Sequence, residues 1–486
     1  MLAQQKGEGT YNVVVIGAGT AGLVAAAGTA GLGGYVALIE RNKMGGDCLN
    51  FGCVPSKALI SSARLIDKMR RAEEWGLRKA EPEFDFNEIF ARMRARRAQI
   101  APNDSQERFE SLGVDVFRGE AKFDSPHSVK IDNQILRAQN FVIATGTRTA
   151  VPKIEGIDSV PYFTNETIFD DLNEKPESLI VLGGGPIGCE LGQTFNRLDV
   201  RTTIVQRGAQ LLPREDVDVS QFLEKCLKDE GISVLTNAEA KSVTREHGGI
   251  KMSILRRDSG ETQISANVLL ICSGRRPNID NLGLEIAGVN TNEHAVMVNE
   301  YLQTSRPHIY AAGDIAGPFL FTHMADVQAR VVVRNILMPF QFLRQKIDYA
   351  VVPWCTYVDP EIATVGLNEA AAKKRNVDYD LIRQEIKEVD RAIVEREENG
   401  FVKLLVAKGT DKILGATLVC ENAGDLLHEF VLAMKYDIGL GKIAATTHAY
   451  PTFAELARKV GDKYNKTRLT PMARKLFAWL YRRKLR

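Results

Sequence analysis

Apolar residues gather in short unbroken runs that end in glycines. The first, Val13-Val14-Val15-Ile16, enters Gly17-Ala18-Gly19-Thr20-Ala21-Gly22 and then an alanine-rich stretch. A run this short and without alternation predicts a strand buried on both faces, here followed by a tight turn and a helix. Residues 35–39 form the next strand, ending at Glu40. The same order returns at residues 178–182, which lead through Gly183-Gly184-Gly185-Pro186-Ile187-Gly188 into an apolar helix over 189–195 and a strand over 201–205. Between the two units, Phe141-Val142-Ile143-Ala144-Thr145-Gly146 reads as another buried strand with a glycine turn. From about Tyr349 the texture changes. Alternating runs at 401–406 and 413–419, between helical stretches such as 425–436, predict an antiparallel sheet with helices.

The glycine turns suggest chemistry. Gly17, Gly19 and Gly22 let the backbone approach a pyrophosphate at a helix N-terminus, and Glu40 stands where a ribose hydroxyl needs an acceptor. This spacing suits a dinucleotide with an unphosphorylated ribose. Gly183, Gly185 and Gly188 repeat the pattern, but the strand after them ends in Gln206-Arg207 and lacks the acid. A carboxylate there would repel a 2′-phosphate, whereas Arg207 offers one a planar charged donor, unless it is only a solvated surface charge. The expected ligand of the second site is therefore NADPH rather than NADH.

Composition narrows the class. The 486 residues leave room for about three domains, and 44% hydrophobic with 26% charged residues is an ordinary globular balance. Seven scattered cysteines do not make a secreted disulfide framework, so a reducing compartment is expected. Residues 1–10 are polar without an apolar signal core, and no run approaches the ~18 apolar residues of a membrane span. The expected location is the cytoplasm.

One stretch organises the rest: Gly45-Gly46-Asp47-Cys48-Leu49-Asn50-Phe51-Gly52-Cys53-Val54-Pro55-Ser56-Lys57, running into an apolar helix. Pro55 suits a first helical turn, where spare N–H groups and the dipole stabilise a thiolate. Two buried cysteines, or half of a zinc site, are the plainer alternatives, although no second Cys/His pair at ligand spacing exists and no resident metal is expected.

The stretch closely resembles the redox-disulfide motif of the flavoprotein pyridine nucleotide-disulfide oxidoreductases, the family of dihydrolipoamide dehydrogenase, glutathione reductase and mercuric reductase. The resemblance implies an α/β fold of two Rossmann-like dinucleotide-binding domains plus a C-terminal α+β dimerisation domain. It implies FAD at the first fingerprint, with Cys53 against the flavin, Cys48 exchanging with substrate, Lys57 near the isoalloxazine and Glu190 paired with Lys57. Gly46, the Ala144-Thr145-Gly146 segment and Asp314 join the expected FAD contacts, and Gly274 marks the exit from the NADPH domain. The implied domains are 1–150 with 276–348 for FAD, 151–275 for NAD(P)H, 349–465 for dimerisation and 466–486 as a basic tail. Residues 359–366 match an interface segment, which implies a homodimer sharing its active sites.

One loop departs from the pattern. Relatives acting on lipoamide or glutathione bring a histidine, then Pro-Thr and a glutamate, from the other subunit to protonate the leaving thiol. Here the loop reads Thr447-His448-Ala449-Tyr450-Pro451-Thr452-Phe453-Ala454-Glu455, with Tyr450 in the histidine position. A phenol with pKa ~10 is a poor proton shuttle beside an imidazole at ~6.5. His448 could substitute only if the loop turns it inward. Mercuric reductases also carry a tyrosine here, which favours a metal ion as electron acceptor. Against this, the chain carries neither their N-terminal metal-binding domain nor paired C-terminal cysteines. A dihydrolipoamide dehydrogenase-like or other small-disulfide reductase is the alternative, and a membrane-associated quinone or electron-transfer flavoprotein a third.

The net charge of +2 hides eight basic and no acidic residues in 466–486. Thr470-Pro471 predicts a helix start, after which Met472, Leu476, Trp479 and Leu480 share one face. Such a helix over 469–486 either touches an anionic membrane or packs on the dimer domain. Nothing in the fold signals points to nucleic acid.

Overall fold

The computed structural model describes residues 9–246, 248–256 and 260–484. Two compact units form, one from the chain up to Arg71 with Lys79–Ala209 and Leu227–Asp348, the other from Ala72–Arg78, Gln210–Cys226 and the chain from Tyr349 onward.

In the first unit, Val114–Arg118, Val36–Glu40, Thr10–Ile16 and Gln134–Ile143 lie side by side in parallel, and Ile309–Ala311 also pairs with Gln134–Ile143. Ser128–Ile131 and Ala121–Ser125 extend the sheet antiparallel. Val13, Val15, Leu38 and Val116 pack into one apolar cluster with helix residues such as Ala25 and Ala329, while Val14, Ile16, Ala37 and Ile39 pack into a second with Phe123 and Phe141. Both faces are covered, which is why these strands read as unbroken apolar runs. The strand ending at Ile143 begins earlier than its apolar run, at Gln134, because Leu136 and Ala138 alternate inward while Ile135 is exposed.

Ser233–Leu235, Arg201–Val205, Ser178–Leu182 and Val268–Ile271 form a second parallel sheet, in which Val181 pairs with both Ile204 and Leu270. Helix Pro186–Arg197 starts directly after Gly185. A three-stranded antiparallel meander, Ala238–Glu246, Gly249–Arg256 and Gly260–Ala266, was not among the expected elements. Its signal is the inward alternation of Ile250, Met252 and Ile254.

In the second unit, Pro353–Thr356, Glu361–Gly366, Ile413–Cys420, Phe401–Ala407 and Tyr379–Glu385 form an antiparallel sheet in that order. Its core is shared with helices Ala423–Lys435, Leu440–Ala445 and Glu455–Thr467. Lys403 lies in mid-sheet, 1% exposed, with its ammonium 2.9 Å from Asp216, 2.8 Å from Asp218 and 2.6 Å from Glu369. Burial works against its charge, but hydrogen bonds to Asp218, Glu369 and Asp216 outweigh burial and hold its pKa above the usual lysine range. Beside it, Glu215 accepts from Trp354 Nε1 at 2.6 Å and Thr364 Oγ1 at 2.9 Å, and burial pushes its carboxyl up. These contacts build residues 210–218 into the second unit.

Helix Pro471–Arg483 follows Thr470, whose hydroxyl accepts from the Ala473 N–H at 3.1 Å, and it buries none of its side chains. Among the described residues no helix is long and apolar enough to cross a membrane.

Candidate active site

The two glycine turns are built alike. Gly17 and Gly183 have φ of +104° and +121°, and a Cβ on either would lie 2.5 Å from Ala144 O or 2.4 Å from Cys272 O. Only glycine permits both the conformation and the approach. A Cβ on Gly22 or Gly188 would collide with the turn itself, at 1.8 Å from Gly17 O and 1.9 Å from Gly183 O. At the helix mouth the space is open: a Cβ on Gly185 would meet nothing within 4 Å, and one on Gly19 only Gly46 Cα at 3.8 Å. Tight packing behind and open space in front suit a pyrophosphate at each helix N-terminus.

The strand-end acceptors are equally parallel. Glu40, buried, accepts from Ala18 N–H at 2.7 Å and Asn42 N–H at 2.6 Å. Gln206 Oε1 accepts from Gly184 N–H at 3.0 Å, so a neutral amide does in the second turn what a carboxylate does in the first. Arg207, next in sequence, is exposed.

Ala144 N–H bonds Ile16 O at 2.8 Å, while Thr145 Oγ1 donates to Asn278 O at 2.8 Å and Asn278 N–H to Gly146 O at 3.0 Å. Gly274 O accepts from Ala150 N–H at 2.9 Å. Asp314 follows strand Ile309–Ala311, accepts from Thr147 Oγ1 at 3.0 Å, and lies 3.9 Å from Arg275 Nε. Burial pushes its carboxyl up, opposed by the Arg275 charge. Arg275 also reaches Asp47 at 3.2 Å, and Asp47 accepts from Asn165 Nδ2 at 2.9 Å. Sequence reasoning missed Asp47, Thr147, Asn165 and Arg275. The signal available was charge inside glycine-rich segments, at Asp47 before Cys48 and Arg275 after Gly274.

Cys48 sits in helix Gly46–Asn50, and Cys53 is the first residue of helix Cys53–Arg70. Their sulfurs are not bonded to each other. The Cys48 thiol donates toward Cys53 and, with Thr322 and the nearby Lys57 charge, outweighs burial to lower the Cys53 pKa to about 6. Thr322 Oγ1 lies 3.5 Å from Cys53 Sγ. The same bond, with burial, pushes the Cys48 thiol far above the usual range. The negative charge therefore rests on Cys53 at a helix N-terminus, where the dipole favours it. Lys57, one turn on, holds Glu190 of helix Pro186–Arg197 at 2.8 Å, with Glu190 buried.

The loop residues lie in the second unit. His448 Nε2 is 2.9 Å from Glu429 Oε1 and its Nδ1 2.9 Å from Thr446 O, so both ring nitrogens face acceptors. Tyr450 is exposed and donates to Asp390 at 3.1 Å, and this bond raises its pKa further. Glu455 pairs with Arg458 at 2.6 Å through one oxygen, while its buried Oε2 has no hydrogen-bond partner among the described residues.

Comparison with known proteins agrees with this layout. Residues 11–333 match the family described as pyridine nucleotide-disulphide oxidoreductase, and residues 352–460 match its dimerisation domain. The chain is 34% identical to a mercuric reductase of Staphylococcus aureus over 92% of this chain and 81% of that protein. It is 33% identical to a dihydrolipoyl dehydrogenase of Geobacillus stearothermophilus over 92% of this chain and 95% of that one. Among solved structures, the HOCl-induced flavoprotein disulfide reductase RclA from Escherichia coli superposes with a TM-score of 0.83 at 26% identity, covering 93% of this chain and 99% of RclA. The chain therefore belongs to the pyridine nucleotide-disulphide oxidoreductases, as a homodimeric enzyme that uses FAD, a pyridine nucleotide and the Cys48–Cys53 redox pair.

Proposed function

We propose that this enzyme takes electrons from NADPH in preference to NADH and passes them through the Cys48–Cys53 dithiol to a soft metal ion. On this reading Gly17, Gly19, Gly22, Glu40, Gly46, Ala144, Thr145, Gly146 and Asp314 hold FAD, in residues 1–150 and 276–348. When bound, the flavin supplies the relay between the nicotinamide hydride and the cysteine pair. Lys57, oriented by Glu190, keeps positive charge beside that relay. Gly183, Gly185, Gly188, Gln206, Arg207 and Gly274 serve NADPH in residues 151–275, since a neutral Gln206 and a cationic Arg207 tolerate a 2′-phosphate. Residues 349–465 form the dimer.

The observation that carries the acceptor class is Tyr450, with its hydroxyl committed to Asp390, together with His448, committed to Glu429 and Thr446. A disulfide substrate releases a thiolate that needs a proton, and this loop supplies a poor donor for it. A soft cation instead asks for thiolate ligands and releases the Cys48 proton as it binds. The mercuric reductase relatives support the reading by name, as does an RclA structure described as a Cu(II) complex.

A dihydrolipoamide dehydrogenase-like activity is the second reading, favoured by the match along 95% of the Geobacillus stearothermophilus protein. NADPH oxidation by the FAD-loaded dimer, assayed with Hg²⁺, lipoamide, glutathione disulfide and a quinone, separates the readings. Turnover is expected to be fastest with Hg²⁺. Faster turnover with lipoamide would replace the first reading by the second.

A further inference from the structure

We infer that helix Pro471–Arg483 is a docking element for a membrane surface rich in anionic phospholipid, which attaches the reductase peripherally. The helix is complete in itself: Thr470 caps it, Pro471 opens it, and Arg482 and Arg483 occupy its last turn. At 100° per residue, Met472, Ala473, Leu476, Phe477, Trp479 and Leu480 share one side, Arg474, Lys475 and Arg482 the other, and Arg483 and Lys484 close the apolar side at its C-terminal end. The large apolar side chains are uncovered, from 41% exposure at Leu480 to 82% at Met472, with Trp479 at 54%, while Ala473 is partly covered. Tyr481 is exposed as well, and the Arg483 guanidinium lies 5.5 Å from the centre of the Trp479 ring.

Charge complementarity selects the occupant. Residues 466–484 hold seven basic side chains and no acid. A second copy of this helix laid face to face would bring two basic flanks together with nothing to neutralise them. The helix also lies beyond residue 460, where the dimerisation match ends. A nucleic acid would use the basic side and leave six apolar side chains in water. An anionic lipid surface satisfies both sides at once, with aromatic and aliphatic groups at the acyl boundary and the cations among phosphates.

The test is co-sedimentation of the FAD-loaded full-length enzyme with phosphatidylglycerol–phosphatidylcholine vesicles and with pure phosphatidylcholine vesicles, at low and high salt. Binding is expected to the anionic vesicles, weakened by salt, and lost when residues 469–486 are deleted. Arg474→Gln, Lys475→Gln and Arg482→Gln together should weaken partitioning roughly 100-fold, at about fivefold per basic residue near such a surface. Trp479→Ser with Leu480→Ser should also release the protein, with flavin content and dimer mass unchanged. Three results would overturn the inference: no sedimentation with either vesicle, equal binding to neutral vesicles without salt dependence, or undiminished binding by the Trp479→Ser, Leu480→Ser variant. Loss of dimer mass on deletion, without any vesicle binding, would show instead that the face packs on the second subunit.

Discussion

The Thr322 hydroxyl stands 3.5 Å from the Cys53 sulfur, at the start of helix Thr322–Leu337 and 269 residues further along the chain. It is a hydrogen-bond donor placed on the sulfur that carries the charge, and it acts in the same direction as the Cys48 thiol and Lys57. Because the Cys53 pKa is lowered to about 6, the thiolate is present at neutral pH and disappears as pH falls through that value. Thr322→Val should move this midpoint upward by about one pH unit, as expected for loss of one hydrogen bond to an ion. Thr322→Ser should restore it. The measurement is the pH dependence of Cys53 alkylation in the reduced enzyme, and an unmoved midpoint in Thr322→Val would remove the threonine from the site's chemistry.

The same charge placement assigns separate roles to the two cysteines. Two-electron reduction of the FAD-loaded enzyme should produce a long-wavelength charge-transfer absorbance from the Cys53 thiolate. Cys53→Ser should abolish it. Cys48→Ser should show the band without any reductant, since Cys53 is then a free thiolate beside oxidised flavin and the serine hydroxyl still donates to it. It should lose the band on two-electron reduction, which can only go to the flavin, and turnover should stop. A band that survives in Cys53→Ser would exchange the assignments.

Gln206 ties down the second glycine turn without charge, and on the proposed reading nucleotide choice falls to Arg207. Arg207→Glu should cost NADPH roughly 10- to 100-fold in kcat/KM, the range of a charged hydrogen bond, and leave NADH ahead. Stopped-flow reduction of the flavin by each nucleotide reads this directly. Preference for NADH in the unmutated enzyme would refute the reading of this strand end.

Tyr450→His places a base of suitable pKa ahead of Pro451 and Thr452, in a loop whose Glu455 has a buried, unpartnered oxygen. Activity toward lipoamide should rise about tenfold or more, within the range of general acid–base catalysis. Glu455→Gln should matter little in the parent enzyme and more in the Tyr450→His background. A fall in lipoamide activity on the histidine change would count against the proton-shuttle argument.

Lys403 bridges Asp216, Asp218 and Glu369 inside the second unit. Lys403→Met leaves those carboxylates facing one another, and breaking a buried ion cluster costs about 3 kcal/mol or more. The sign with pH follows from linkage: crowded carboxylates in the folded variant take up protons more readily than in the unfolded chain, so the deficit is largest at neutral pH and shrinks on acidification. Denaturant unfolding at neutral and mildly acidic pH tests this, and a pH-independent deficit would show that packing rather than charge is lost.

Local rules made much of this protein legible. The apolar runs at residues 13–16 and 178–182, the glycine turns after them and the cysteine stretch before an amphipathic helix are properties of neighbouring residues, and they appear as strands, turns and helix where the sequence puts them. The Lys57–Glu190 pair was legible only through resemblance, and the fold brings its two members to 2.8 Å across 133 residues. Other relationships have no local signature. Thr322 on Cys53, Arg275 between Asp47 and Asp314, Gln206 on Gly184 and Lys403 among three acids all join residues far apart in the chain. Periodicity records which face a residue shows, but which distant polar group meets it there depends on how strands stack and helices pack. The sequence alone therefore determined the nucleotide folds and the redox pair, while the tertiary structure decided where the thiolate charge sits, how His448 and Tyr450 are engaged, and that the terminal helix leaves its apolar side uncovered.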